Sequence, residues 1–289
     1  LKKRTKKLLS ERPLIFLHIP KCSGIAVSQA LLQAEQPKNV FFGFDKAFFG
    51  SFNDFESVGP ENKAFIHLSP NTIPRNETFV RAHMSLSTLR TAFPHGRFMT
   101  VLREPICRIL SHYAFWRASP DEGWGSWTSR SRLARGPLET FLDSPEIACQ
   151  IDNVATRLLL WPHPLIPDAA MINFAHDARL RREATARLRS LDFADAIENP
   201  SFYPNLSTWI ATPLTPTRVN ETPLMPPALR TPLDRELTPR ALTLLAARSR
   251  LDLHLWQSLL PPHLNPTALR AAALLQATAR TTRLLAANG

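Results

Sequence analysis

LIFLHIPKCSGIAVSQALL, residues 14–32, decides the fold. Residues 14–19 are rich in apolar and β-branched types and short enough for a buried strand of a parallel sheet. Pro20 ends that strand, because proline has no N–H to give to a ladder. Lys21, Cys22, Ser23 and Gly24 form a small-residue turn, and Ile25, Ser28, Ala30, Leu31 and Leu32 suit the helix that follows. The first N–H groups of a helix lack partners, and its dipole puts partial positive charge at that end. Lys21 adds a full charge, so strand, turn and helix together make an anion site. The lysine precedes the glycine and GxxxxGK[ST] is absent, so this is not the Walker pattern.

A second stretch of the same kind is GRFMTVLREPICRILSHYAFWR, residues 96–117. Residues 98–102 read as a strand, Arg103 sits at its carboxyl end, and Pro105 suits the first position of a helix. Ile106, Ile109, Leu110 and Tyr113 form a core stripe on that helix, and Ser111 lies on another face. The turn and two helical turns bring Arg103 and Ser111 to one point beyond the strand. A guanidinium forks onto phosphate oxygens, so the pair suits a phosphate. The plainer alternative makes Arg103 a capping or salt-bridging residue.

The two stretches resemble the carbohydrate sulfotransferases that use 3′-phosphoadenosine 5′-phosphosulfate (PAPS). That branch includes the heparan sulfate 2-O- and 6-O-sulfotransferases and bacterial relatives. Residues 20–26 stand where the family has PKTGGTS, and residues 102–113 where it has LRDPxxRxxSHY, with Glu104 for Asp. Further echoes are Ala82-His83 for the family's GH, DNVATRL at residues 152–158 for DNxxTR, and RVNET at residues 218–222. The resemblance runs over residues 13–260 and departs at Ile25-Ala26, where the family has Thr-Ser. Backbone N–H groups and Ser23 must then replace two hydroxyls.

The resemblance implies a three-layer, P-loop-like α/β fold with a central, mostly parallel sheet. It implies sulfuryl transfer from PAPS, as co-substrate and without a metal, to a hydroxyl of a carbohydrate-type acceptor. The donor would lie on Lys21, Cys22, Ser23, Gly24, Ile25, Ala26, Arg103 and Ser111. Lys21 would stabilise the leaving phosphate, and Arg103 and Ser111 would hold the 3′-phosphate. His83 follows a strand and is the candidate base, expected to titrate near neutrality. His112 and then Asp152 stand in reserve.

Composition sets outer bounds. The 289 residues carry a net charge of +11, which suits anionic partners. The Ala-Leu-Arg-Pro bias discounts the arginines as a sign of nucleic acid, so a glycan or other hydroxyl-bearing acceptor is the expected partner, with membrane-surface contact possible. Cys22, Cys107 and Cys149 cannot all pair and lack metal spacing, which favours a reduced state. No apolar run reaches membrane-spanning length. The expected location is cytoplasmic, or the Golgi lumen if an anchor precedes Leu1.

The domain plan is a basic tail over residues 1–12, a sulfotransferase domain over 13–262 and a C-terminal helix over 263–289. Further strands are expected at residues 64–68, 78–82 and 193–197, and helices at 137–143, 145–160, 177–190, 242–260 and 267–287. The phenylalanine-rich residues 41–55 are core or the wall of an acceptor cleft. Residues 119–135 read as a long loop, and the proline-rich residues 213–232 as irregular. Two other functions compete: a polyanion-binding protein that has lost turnover, and a nucleotide-dependent phosphotransferase. The missing Walker lysine and Mg²⁺-binding hydroxyl count against the second.

Overall fold

A computed structural model describes residues 12–216 and 225–286. The tail over residues 1–11 and the RVNET segment with Asn220 lie outside the described residues.

Five parallel strands form one sheet in the order β2-β3-β1-β4-β5. They are β1 (Leu14–Leu17), β2 (Val40–Phe44), β3 (Phe79–His83), β4 (Arg97–Leu102) and β5 (Phe193–Ala196). The helices of more than one turn are α1 (Gly24–Glu35), α2 (Leu86–Ala92), α3 (Pro105–Ala118), α4 (Leu138–Asp143), α5 (Val154–Leu160), α6 (Asp177–Arg189), α7 (Phe202–Ile210), α8 (Pro239–Leu259) and α9 (Pro266–Ala286).

Strand β1 is buried at every position and alternates its side chains between two cores. Leu14 and Phe16 pack with Val27 and Leu31 of α1 and with Phe202, Leu206 and Ile210 of α7. Ile15 and Leu17 pack with α2, α5, α6 and α8 through residues such as Leu89, Leu158, Leu188 and Trp256. Helices therefore cover both faces, the usual arrangement of a parallel sheet. A further cluster lies beyond the carboxyl ends of the strands, where Phe44, Phe49, Tyr113, Trp116, Trp127 and Phe141 meet.

The topology fixes where a ligand can enter. From β1 the chain crosses to β2 on one side, whereas from β4 it crosses to β5 on the other. The crevice between the carboxyl ends of β1 and β4 is thus the switch point of the sheet, where such folds bind ligands. Lys21 follows β1 and Arg103 follows β4, and these two strands are hydrogen-bonded neighbours.

Several expectations change. Residues 64–68 form no strand; Ile66 makes an isolated bridge to Phe44, and β2 itself was hidden in the aromatic run. The helix expected over residues 145–160 breaks at Asp152 and Asn153, where Asn153 takes a left-handed φ of 48°. The loop over residues 119–135 folds into short helical turns that bury Trp127 and Ala134. The last helix, α9, packs along α3 and buries Leu285 in the core.

Candidate active site

The turn after β1 is held in an uncommon shape. Lys21 and Ser23 have φ of 67° and 60°, left-handed values that cost about 1–3 kcal/mol each for non-glycine residues and cluster at ligand sites. Ser23 is the N-cap of α1, yet its side chain caps no N–H. Gly24 is required for a different reason. A Cβ there would lie 1.9 Å from His18 Nε2, so the imidazole of His18 occupies the space a side chain would take.

His18 in turn positions His83. Its carbonyl accepts a 2.6 Å hydrogen bond from His83 Nδ1, and the two rings pack at 4.2 Å between centroids. A carbonyl can only accept, so Nδ1 carries the proton and Nε2 keeps the lone pair. Phe44 stacks on His83 at 5.5 Å and Phe48 tilts against it at 5.5 Å. Burial drives the His83 pKa down to about 3; Arg81 and Lys21 push the same way, against the pull of the His18 carbonyl. His83 is therefore neutral across the working pH range, and the expectation that it titrates near neutrality is corrected.

Lys21 points its ammonium at the ring of Phe115 on α3, 3.8 Å from the centroid. Burial first, then the positive charges of Arg103 and Arg280, lower its pKa to about 7. Arg103 donates from Nη1 to the Lys21 carbonyl at 3.4 Å, so the two motifs touch. The alternative of a capping role for Arg103 goes to its neighbour: Glu104 caps α3 by accepting from Cys107 N.

These groups surround one cavity of about 920 Å³. Lys21, Ser23, Gly24, Ile25, Ala26, Arg103, Ser111 and His83 all line it. Among the described residues its charged side chains are Lys21, Arg103, Arg280 and Arg283 against Glu122. Such a wall concentrates anions. Beside His83 the lining turns aromatic, with Phe44, Phe48, Trp124 and Trp127, so the phenylalanine-rich segment serves as both core and cleft wall.

Two expected participants behave differently. The Cys22 side chain is turned into the core, 2% exposed, and burial raises its thiol to about 12; only its backbone belongs to the turn. Asp152 is not at the cavity. It pairs with Arg157 at 2.7 Å and accepts from Ile172 N, so it is withdrawn as a reserve base. The whole DNVATRL segment is a buried clamp on α8. Asn153 Oδ1 accepts from Leu251 N, and the Asp252 carboxylate accepts from Ala155 N, Thr156 N and the Thr156 hydroxyl.

His112 does line the cavity, packed 4.3 Å from Trp116, and among the described residues neither ring nitrogen has a hydrogen-bond partner. Burial holds it neutral, as it does His18. A buried polar group without a partner costs about 1–3 kcal/mol, and a ligand in the cavity would supply one.

Sequence reasoning missed His18, Arg280 and Arg283. His18 left a signal, a polar ring at the end of an otherwise apolar strand and six residues before the motif glycine. The two arginines left only their i, i+3 spacing.

No protein-family model matches the chain, and no curated protein does. Among the described residues no cluster of His, Cys, Asp and Glu is arranged to hold a metal, and no helix is long and apolar enough to cross a membrane.

Proposed function

We propose that this protein transfers the sulfuryl group of PAPS to a hydroxyl of a carbohydrate-type acceptor. The observation that carries the reading is the meeting of Lys21, Arg103 and Ser111 in one cationic cavity at the switch point of the sheet. A donor with phosphates at two ends of one nucleoside needs two anion sites, and the turn after β1 and the start of α3 supply them.

In this reading the N–H groups opening α1 hold the 5′-phosphate and Arg103 with Ser111 holds the 3′-phosphate. The acceptor oxygen attacks sulfur, and its proton passes to Nε2 of His83. The bond from sulfur to the bridging oxygen breaks, and the electron pair stays on that oxygen beside Lys21. As in phosphoryl transfer, positioning and charge neutralisation dominate. A pKa near 3 makes the empty-site imidazole a weak base. The negative charge of a bound donor favours the imidazolium and raises that basicity.

The aromatic wall by His83 supports an acceptor with an apolar face, which a sugar ring has. Three cysteines that are buried and unpaired agree with a reducing, cytoplasmic-type compartment.

Transfer of labelled sulfate from PAPS to extracts fractionated by acceptor type tests the reading. Label should appear in a saccharide fraction and vanish with Lys21→Ala. Donor binding with no transfer to any fraction would leave a polyanion-binding protein. Turnover with ATP in place of PAPS would leave a phosphotransferase.

A further inference from the structure

The last helix lies beyond the stretch that resembles sulfotransferases, yet it reaches the cavity. Arg270 near its start pairs with Glu104 at 3.1 Å, and near its end the Leu285 carbonyl accepts from Thr231 N at 3.2 Å. Glu104 is the residue that stands where the family has Asp. One of its oxygens caps α3 and the other meets Arg270. Between these anchors Ala277, Thr281 and Leu285, four residues apart, are buried. That stripe fixes the rotation of α9 about its axis. Arg280, Arg283 and Leu284 then share an adjacent face, and all three line the cavity.

We propose that Arg280 and Arg283 complete the donor site by binding the phosphosulfate end of the nucleotide. This rests on the sulfotransferase reading and names residues it did not include. Arg280 stands close enough to the Lys21 ammonium to help lower its pKa, so it faces the position given to the leaving group. Arg283 lies one turn further along the same face. Cations this close repel one another in the empty site, and a multiply charged anion between them removes that repulsion. A guanidinium on α9 facing a lysine after β1 therefore favours the nucleotide over an uncharged acceptor.

The test is calorimetric titration of the full chain with adenosine 3′,5′-bisphosphate. The double variant Arg280→Ala/Arg283→Ala should bind it about 10–100-fold more weakly, the loss expected for charge-assisted contacts. The buried stripe of α9 is untouched, so the variant should still fold, and affinity is read per folded molecule. Arg280→Lys/Arg283→Lys should recover part of the affinity, since it keeps the charge but not the fork. Unchanged bisphosphate affinity in the alanine variant would overturn the proposal, as would a rise in acceptor KM alone. Failure of the wild type to bind the bisphosphate would instead remove the donor reading beneath it.

Discussion

The turn over residues 20–26 and the DNVATRL segment over residues 152–158 both enter the proposed family resemblance, and they are built in opposite ways. In DNVATRL the polar groups answer one another. Asp152 has Arg157, Asn153 has the backbone of α8, and Thr156 has Asp252. In the turn they do not. The Ser23 side chain caps no N–H, and burial together with the like charges of Arg103 and Arg280 lowers the pKa of Lys21 to about 7. A saturated polar cluster holds a fold together; an unsaturated one at a cavity waits for a ligand. Motif matching alone cannot separate the two, since both are runs of polar residues beside apolar ones.

Substitutions can break this contrast, and the largest effect belongs to the cavity. His83→Ala should cut turnover by about 10²–10⁴ while leaving donor affinity nearly unchanged. Rates scaled to sites titrated with adenosine 3′,5′-bisphosphate would measure it, and near-normal turnover would move the base to His112. The wild-type kcat/KM, which reports the free enzyme, should have no imidazole limb near neutrality, because burial keeps His83 uncharged down to about pH 3 in the empty site.

Arg157→Ala probes the other side. It takes from the buried Asp152 carboxylate its 2.7 Å partner and leaves it the longer 3.8 Å contact to Arg250, a loss on the order of 3 kcal/mol in unfolding free energy. Donor affinity per folded molecule should not move. A variant of normal stability that bound the bisphosphate poorly would place DNVATRL at the ligand and erase the contrast.

Arg103→Ala should weaken bisphosphate binding by about 10–100-fold with stability largely kept, since the hydrogen bond its guanidinium gives to the Lys21 carbonyl is a long one of 3.4 Å. Equal loss of stability and affinity would make it a structural residue like Arg157.

The smallest effect is one of pH. Lys21 has its pKa lowered to about 7 by burial, Arg103 and Arg280; His18, His83 and His112 beside it stay neutral in this range. Below that pH the lysine is already charged and the anion binds at full strength. Above it, binding must take up a proton, so affinity should fall by up to about tenfold per pH unit. Titrations between pH 6 and 9 in buffers of different ionisation enthalpy would read the proton uptake, and pH-independent affinity would remove Lys21 from the anion.

The sheet was legible because β1 and β4 are nearly all apolar and each ends in a turn whose residues punctuate it clearly. The strand β2 was not, because Val40–Phe44 merges with the phenylalanines that follow and no period separates strand from core. The helix expected over residues 145–160 hid the break at Asp152 and Asn153, because α8, nearly a hundred residues away, is what buries DNVATRL. No local pattern records such a partner. The same holds for Arg280 and Arg283, whose place depends on a Glu104–Arg270 pair spanning 166 residues.

The central claim is that the turn after β1 and the start of α3 form one site for a nucleotide with a 3′-phosphate. Calorimetry of adenosine 3′,5′-bisphosphate against AMP tests it most directly. The bisphosphate should bind wild type about 10–100-fold more tightly than AMP, and Arg103→Ala should bind the two nearly equally. Equal affinities in the wild type, or a preference that survives Arg103→Ala intact, would contradict it.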